Sequence, residues 1–332
     1  MSNKRGWNVE NITSANGDIL NKLYSKYYKT AEKSSVTISH WAKCGSRCLV
    51  RKSGDRFIVE GFGFGTFIRP NFLRFIKYCI PLFLSRSLLN SYVSNNDIKI
   101  KGWEVIKKQN RLCMFDEVKQ IIICDLLDKH EMLKQSKTIV VIGDGYGFMT
   151  CLLRLLVPQA KIICVNLGKI LFFDFLHVSK VFPGTKMFLV EEKDDVDKAI
   201  EHYPIVFLEA EKYEILFNKS LDLFINVASM GEMNTDVIRT YFDIFRSSTG
   251  KRFFYSCNRV EKTLSDGTVN RFDDYPWNPD KDTIIFDELC AFYKKFPISF
   301  PPFWRSFDDP LKHRLVKLGA GISFEKSPKI SL

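Results

Sequence analysis

The stretch VVIGDGYGFMT (140–150) sets three glycines at alternate positions, 143, 145 and 147, between a β-branched run and a returning apolar segment. Glycine takes backbone angles closed to other residues, so this is a tight turn placed directly after a strand and directly before a helix. That context belongs to the first crossover of an α/β sheet, where ligands sit beyond the carboxyl ends of the strands. The flanking sequence keeps the same rhythm. KTIVVIG (137–143) reads as a strand, GFMTCLLRLLV (147–157) as a helix stopped by Pro158, and KIICVN (161–166) as the next strand. Helix KILFFDFLHVSKVF (169–182), strand KMFLV (186–190), helix DDVDKAIEHY (194–203) and strand IVFLE (205–209) follow. Strand SLDLFINVAS (220–229), helix NTDVIRTYFDIFR (234–246) and strand KRFFYSCN (251–258) continue the alternation. It predicts an α/β fold with a mainly parallel, doubly wound, Rossmann-like sheet. FDEVKQIIICDLLDKHEML (115–133) has helical spacing and leads into that sheet.

A chain of 332 residues accommodates one such domain, placed at 111–332, with a basic N-terminal segment or small subdomain at 1–110. The net charge of +11 is lopsided: residues 1–137 hold 24 Lys/Arg against 12 Asp/Glu, and residues 138–332 hold 25 against 26. A basic segment of this kind attracts nucleic acid, an anionic membrane surface or a phosphorylated substrate, or serves only as a solvated face. No signal-peptide pattern opens the sequence, so a cytoplasmic location is expected. FLRFIKYCIPLFLSRSLL (72–89) is apolar but broken by Arg74, Lys77, Pro81 and Arg86, which argues against a membrane span and for packing on the sheet domain. YVSNNDIKIKG (92–102) reads as a polar connector. GFGFGT (61–66) lacks the GK[ST] of a phosphate loop and reads as part of a strand or hairpin. The nine cysteines have no metal-ligand grouping; Cys44 and Cys48 are the nearest pair.

Which nucleotide the 143–147 turn admits follows from what it lacks. A dinucleotide fingerprint needs G-x-G-x-x-G, and its third glycine is Phe148 here. S-adenosylmethionine, which needs close backbone approach without a pyrophosphate cradle, remains as occupant. The next strand then ends in a residue for the ribose hydroxyls, and that residue is Asn166, an amide able to donate and accept.

SLDLFINVASMGEMN (220–234), FFYSCNRVEKTLSDGTVNRFDDYPW (253–277), DELC (287–290) and HRLVKL (313–318) together resemble the sugar O-methyltransferases of bacterial, and occasionally viral, glycan-assembly gene sets. The resemblance spans about residues 115–320. It implies a class I S-adenosylmethionine-dependent methyltransferase fold and an acceptor that is a sugar, a nucleotide-sugar or a lipid-linked glycan. Gly143, Asp144, Gly145 and Gly147 occupy the family's cofactor turn, with Tyr146 inside it and Ser229 and Met230 joining from the end of 220–229. The family usually carries an acid where this chain has Asn166. Glu232 in SMGEM, and Asn258, Arg259 and Glu261 after the last parallel strand, face the acceptor side.

Methyl transfer to a hydroxyl requires alignment and a base. Glu232 is the leading base; its other reading is a cap on the helix starting near Asn234. His313 is the second candidate, with a packed structural histidine as its alternative. Asp222, at the far end of its strand, reads as structural. Glu232, Glu261, Asp273 and Asp274 would supply oxygen ligands for Mg²⁺ only if they converged. Tyr275 and Trp277 either cover a pyranose face or anchor their own loop. Two rival classes stand beside the methyltransferase: a nucleic-acid methyltransferase, though no stable nucleic-acid partner is expected, and a noncatalytic glycan-binding protein. Peripheral membrane contact through the basic segment is a further expectation.

Overall fold

The computed structural model describes residues 6–8, 16–29, 48–54, 56–61, 70–191 and 196–321. Strand β1 (Gly6–Asn8), helix α1 (Gly17–Tyr24), and strands β2 (Cys48–Ser53) and β3 (Arg56–Gly61) come first; the three strands form a small antiparallel sheet in the order β1-β3-β2. Gly61 ends β3, while the remainder of the glycine-rich 61–66 segment and Cys44 lie outside the described residues. Leu20 and Leu23 of α1 and Phe57 of β3 belong to the same hydrophobic core as the large sheet described below.

Helix α2 (Phe72–Tyr92) and helix α3 (Asn96–Lys108) are separated by only three residues, so most of the expected connector at 92–102 is helical. Asparagine caps explain the difference. Asn71 Oδ1 accepts from Arg74 N at 2.7 Å and Asn95 Oδ1 from Asp97 N at 3.0 Å, which turns polar residues into helix starts. The packing expected for 72–89 holds only in part: Pro81, Ser85 and Leu89 are buried, whereas Phe72, Leu73, Phe75, Ile76 and Phe83 are exposed. Among the described residues no helix is long and apolar enough to cross a membrane.

Helix α4 (Phe115–Lys129) leads into strand β4 (Thr138–Ile142), helix α5 (Phe148–Leu156), strand β5 (Lys161–Asn166), helix α6 (Gly168–Val181) and strand β6 (Met187–Leu189). Helix α7 (Val196–His202), strands β7 (Ile205–Glu209) and β8 (Leu223–Val227), helix α8 (Thr235–Ser247) and strand β9 (Phe253–Arg259) complete the predicted alternation. Hairpin strands β10 (Glu261–Thr263) and β11 (Val269–Arg271), strand β12 (Thr283–Leu289), a second pair β13 (Lys295–Pro297) and β14 (Trp304–Ser306), and strand β15 (Leu311–Lys317) follow.

The central sheet has eight strands in the order β12-β15-β9-β8-β4-β5-β7-β6, parallel throughout except for β15, which runs antiparallel to both its neighbours. This is an α/β, Rossmann-like, doubly wound fold. Alternate residues of each parallel strand feed opposite faces. Ile139, Val141, Ile162 and Cys164 pack with α4, α5 and α6, while Val140, Ile142, Ile163 and Val165 pack with α8 and α7. Burial on both faces is why these strands read as unbroken apolar runs. Strand order reverses at β4, with β5 on one side and β8 on the other. At the opposite edge of the strands, Asp222 accepts from Lys137 N at 2.7 Å and Lys251 N at 3.0 Å, tying the amino ends of β4 and β9 together.

Candidate active site

The carboxyl ends of the strands around the β4 reversal open onto a cleft of about 370 Å³, within the size range of small-molecule sites. Gly143, Asp144, Gly145 and Tyr146 form one wall, Leu167 and Ile170 of the β5–α6 junction a second, and Ala210, Glu211 and Tyr213 after β7 a third. Asp116, Lys119 and Gln120 of α4 border it as well.

All three turn glycines have positive φ, +77° at Gly143, +85° at Gly145 and +64° at Gly147, yet they answer different needs. A Cβ on Gly143 would collide with the Ser229 hydroxyl. One on Gly147 would lie 2.5 Å from Val178 Cγ2 and 2.8 Å from the Asp174 carbonyl oxygen. Gly147 thus serves the approach of α5 to α6 and does not line the cleft, which corrects its assignment as a cofactor contact. Around a Gly145 Cβ nothing lies within 4 Å; here the missing side chain leaves room.

Asp144 lines the cleft, but its carboxylate turns to the helix behind it, accepting from Met149 N at 3.0 Å and Thr150 N at 2.7 Å. It caps α5. Burial pushes its pKa up, and these hydrogen bonds hold it back. Asn166 also lines the cleft with its amide already engaged: Nδ2 donates to Asp174 Oδ2 at 2.7 Å, and Oδ1 accepts from Leu167 N at 2.9 Å. An acid able to face ligand hydroxyls is supplied instead by Glu211, whose carboxyl burial raises above its usual range.

Behind Ser229 stands a residue the sequence reading passed over. Asn226, fully buried on β8, donates to the Ile142 carbonyl at 3.1 Å and to Ser229 Oγ at 2.6 Å, and accepts from Met230 N at 3.0 Å and Asn258 Nδ2 at 2.9 Å. An asparagine inside the apolar strand LFINV was the available signal, because a buried amide needs all its partners supplied. Ser229 lines the cleft, whereas Met230 is fully buried in the core and does not reach it. Ala228, directly before Ser229, holds φ +54°, an angle a non-glycine residue adopts only when its surroundings impose it.

A second pocket of about 100 Å³ adjoins the first. Ala228, Glu232 and Tyr293 line both and therefore form the throat between them. Asn258, Arg259 and Lys262 line the smaller pocket, and Asn258 is held by Asn226, by Ser256 Oγ at 2.9 Å and by Gly231 N at 3.2 Å. Tyr293 had no sequence signal. Its hydroxyl accepts from Lys119 Nζ, and that ammonium lies 3.9 Å from the Tyr293 ring centroid and 2.7 Å from Asp116. Burial pushes the Tyr293 phenol up to about 12, with Lys119 pulling it down.

A buried polar relay holds this wall to the glycine turn. Glu117 pairs with Arg111, Arg111 Nη1 donates to Gln109 Oε1 at 3.2 Å, and Gln109 Nε2 donates to the Tyr146 carbonyl at 3.2 Å. Burial raises the Glu117 carboxyl to about 7 against the pull of Arg111.

Other expected site residues lie elsewhere. His313 is buried on β15 between Tyr255, whose hydroxyl is 3.2 Å from Nδ1, and Glu288, 3.3 Å from Nε2, and lines neither pocket. The antiparallel insertion of β15 turns it into the core. Tyr275 and Trp277 pack against Phe242 and Phe272, with Trp277 Nε1 donating to the Phe272 carbonyl at 2.8 Å, so they anchor their own loop and line neither pocket. Glu261 faces Arg271 at 2.8 Å on the exposed hairpin, outside both pockets. The acids considered for Mg²⁺ do not converge: Asp273 pairs with Lys312 and Arg314, and among the described residues no three His, Cys, Asp or Glu side chains gather as a metal site.

No family model matches the chain, and no curated protein matches it. Solved structures do. A Thermoplasma acidophilum protein is 12% identical, with 67% of this chain and 96% of that one covered and a TM-score of 0.41. An O-methyltransferase family protein from Burkholderia thailandensis is 10% identical over 82% and 80%, with a TM-score of 0.37. The O-methyltransferase TomG from Streptomyces achromogenes, involved in tomaymycin synthesis and solved with S-adenosylmethionine, is 11% identical over 76% and 100%, with a TM-score of 0.35.

Proposed function

We propose that this chain is an S-adenosylmethionine-dependent O-methyltransferase acting on a sugar hydroxyl. The observation that carries the reading is the throat. A cleft beside an open glycine turn and a smaller pocket of mixed polar and apolar lining meet at one point, and a carboxylate, Glu232, stands there. The donor cleft fits a nucleoside in three respects. The Gly145 backbone is bare on that side, Leu167, Ile170 and Tyr213 offer apolar surface to a base, and Glu211 offers a carboxylate to hydroxyls or an amine. When bound, S-adenosylmethionine supplies an activated methyl group with its leaving group in place.

The chain's own residues then align and deprotonate. Glu232 takes the proton from the acceptor hydroxyl at the throat, a contribution of on the order of 10²–10⁴ in rate for a positioned base. Tyr293, which also lines the throat and is held by Lys119, offers a phenolic hydrogen bond to the same oxygen. The sugar itself rests on the sequence resemblance and on the polar lining of the smaller pocket, formed by Asn258, Arg259 and Lys262.

The test is Glu232→Gln, which keeps size and loses basicity. Calorimetry is expected to show S-adenosylmethionine binding as in the wild type, while turnover on the acceptor collapses. Glycans from cells lacking the gene product are expected to be one methyl group lighter by mass spectrometry. Wild-type turnover in the variant removes Glu232 from the role, and absence of heat with S-adenosylmethionine removes the methyltransferase.

A further inference from the structure

We infer that the smaller pocket grips the phosphate of a phosphorylated acceptor, with Arg259 and Lys262 as its two cations. The pocket measures about 100 Å³. That is under a third of the donor cleft's 370 Å³, so it suits one small polar group of the acceptor. Its lining carries two cationic side chains and one acid, Glu232, which stands at the throat.

The two cations are presented by different means. Arg259 ends β9, and its Nη1 donates to Asp309 Oδ2 at 3.0 Å. Asp309 is half-exposed and does not line the pocket, so water screens that pair and the bond steadies the guanidinium more than it neutralises it. Lys262 comes from β10, and hairpin pairing with β11 sets its Cβ 3.8 Å from where a Cβ on Gly231 would stand. Among the described residues Lys262 makes no ion pair. A guanidinium fork and an ammonium point charge, confined together with their carboxylate counter-ion at the throat or outside, suit a dianionic phosphate.

The general basicity of the chain does not produce this arrangement. Residues 138–332 carry 25 basic against 26 acidic residues, so the positive spot is local. For its orientation the inference rests on the methyl-transfer reading: phosphate in the smaller pocket leaves the rest of the acceptor at the throat, beside Glu232 and Tyr293.

The experiment titrates inorganic phosphate into the full chain, followed by phosphorus nuclear magnetic resonance, for the wild type, Lys262→Glu, Arg259→Gln and Lys251→Glu. Lys251 is exposed two residues before the amino end of β9 and serves as the charge control. Phosphate affinity is expected to fall by about tenfold or more in the first two variants and to stay unchanged in the third, as loss of a close charge contact requires. S-adenosylmethionine binding, measured in parallel, is expected to be the same in all four proteins. No phosphate binding to the wild type, or equal weakening in all three variants, overturns the inference. Phosphate binding that depends on Lys262 and Arg259 in a chain that ignores S-adenosylmethionine keeps the phosphate site and sinks the methyl-transfer reading.

Discussion

Asn166 donates through Nδ2 to the Asp174 carboxylate at 2.7 Å, and the same carboxylate receives the Gly147 N–H at 3.0 Å. One buried acid on α6 therefore fixes both the end of β5 and the last residue of the glycine turn. The ends of β4 and β5 that border the donor cleft are thus tied to one shared acceptor.

Removing that acid is expected to cost stability before it costs chemistry. Asp174→Ala leaves Asn166 Nδ2 and Gly147 N, together with the weaker Cys164 thiol donor at 3.7 Å, without an acceptor, and each buried N–H loss is worth about 1–3 kcal/mol. Urea unfolding is expected to shift accordingly; an unchanged midpoint contradicts the shared-acceptor account. Burial, and next the neighbouring Asp144 charge, raise the Asp174 carboxyl well above its ordinary value of 3.8. With the folded pKa raised, the group's contribution is full below 3.8 and is lost as pH climbs through the folded value. Asp174→Asn is expected to remove this group's share of the decline, read as thermal midpoints that fall less than the wild type's as pH climbs from acid to neutral.

The glycines of the turn are expected to part company under substitution. Gly147→Ala drives a methyl against the Asp174 carbonyl oxygen, which is backbone and cannot swing away, so thermal stability falls steeply. Gly145→Ala meets no atom within 4 Å and bears only the strain of a positive φ, about 1 kcal/mol. Its methyl enters the cleft, so S-adenosylmethionine binding is expected to weaken in a protein that still folds. Equal stability losses at the two positions would contradict the division of roles.

His313 is expected to matter for stability and not for turnover. His313→Gln retains polar contact with Tyr255 and Glu288 and leaves both pockets untouched, so turnover at neutral pH stays at the wild-type level. Burial lowers the His313 pKa below 6.5, with Glu288 opposing it. A depressed folded pKa gives stability that is present above 6.5 and lost as pH falls through the folded value. The variant is expected to lose less stability than the wild type on acidification. A large fall in turnover at neutral pH would place His313 back in the chemistry.

Much of the fold was legible in local sequence. From β4 to β9 the apolar runs and helical spacings fall within a few residues of the strands and helices observed, and the glycine turn sits where the alternation placed it. Strands β12 and β15 were not read, because HRLVKL carries two charges inside a strand and pairs through Arg314 with Asp287, 2.7 Å away on its neighbour. A salt bridge across a sheet has no local signature. At the N-terminal end, α2 and α3 were hidden by asparagines that look like connector residues until their side chains are seen capping.

The sequence by itself determined the α/β alternation and the turn, since these follow from side-chain periodicity and from dihedral freedom within a few residues. Tertiary structure alone decided which side chains face the cleft. Asn166 and Asp144 spend their polar groups on Asp174 and on α5, and His313, Tyr275 and Trp277 turn into the core. Glu232 and Tyr293 both line the throat, and Lys119 holds the Tyr293 hydroxyl, although the chain separates them widely. The physical reason is that a side chain's role depends on which partners satisfy its hydrogen bonds and charge, and strand order, not sequence distance, brings those partners within reach.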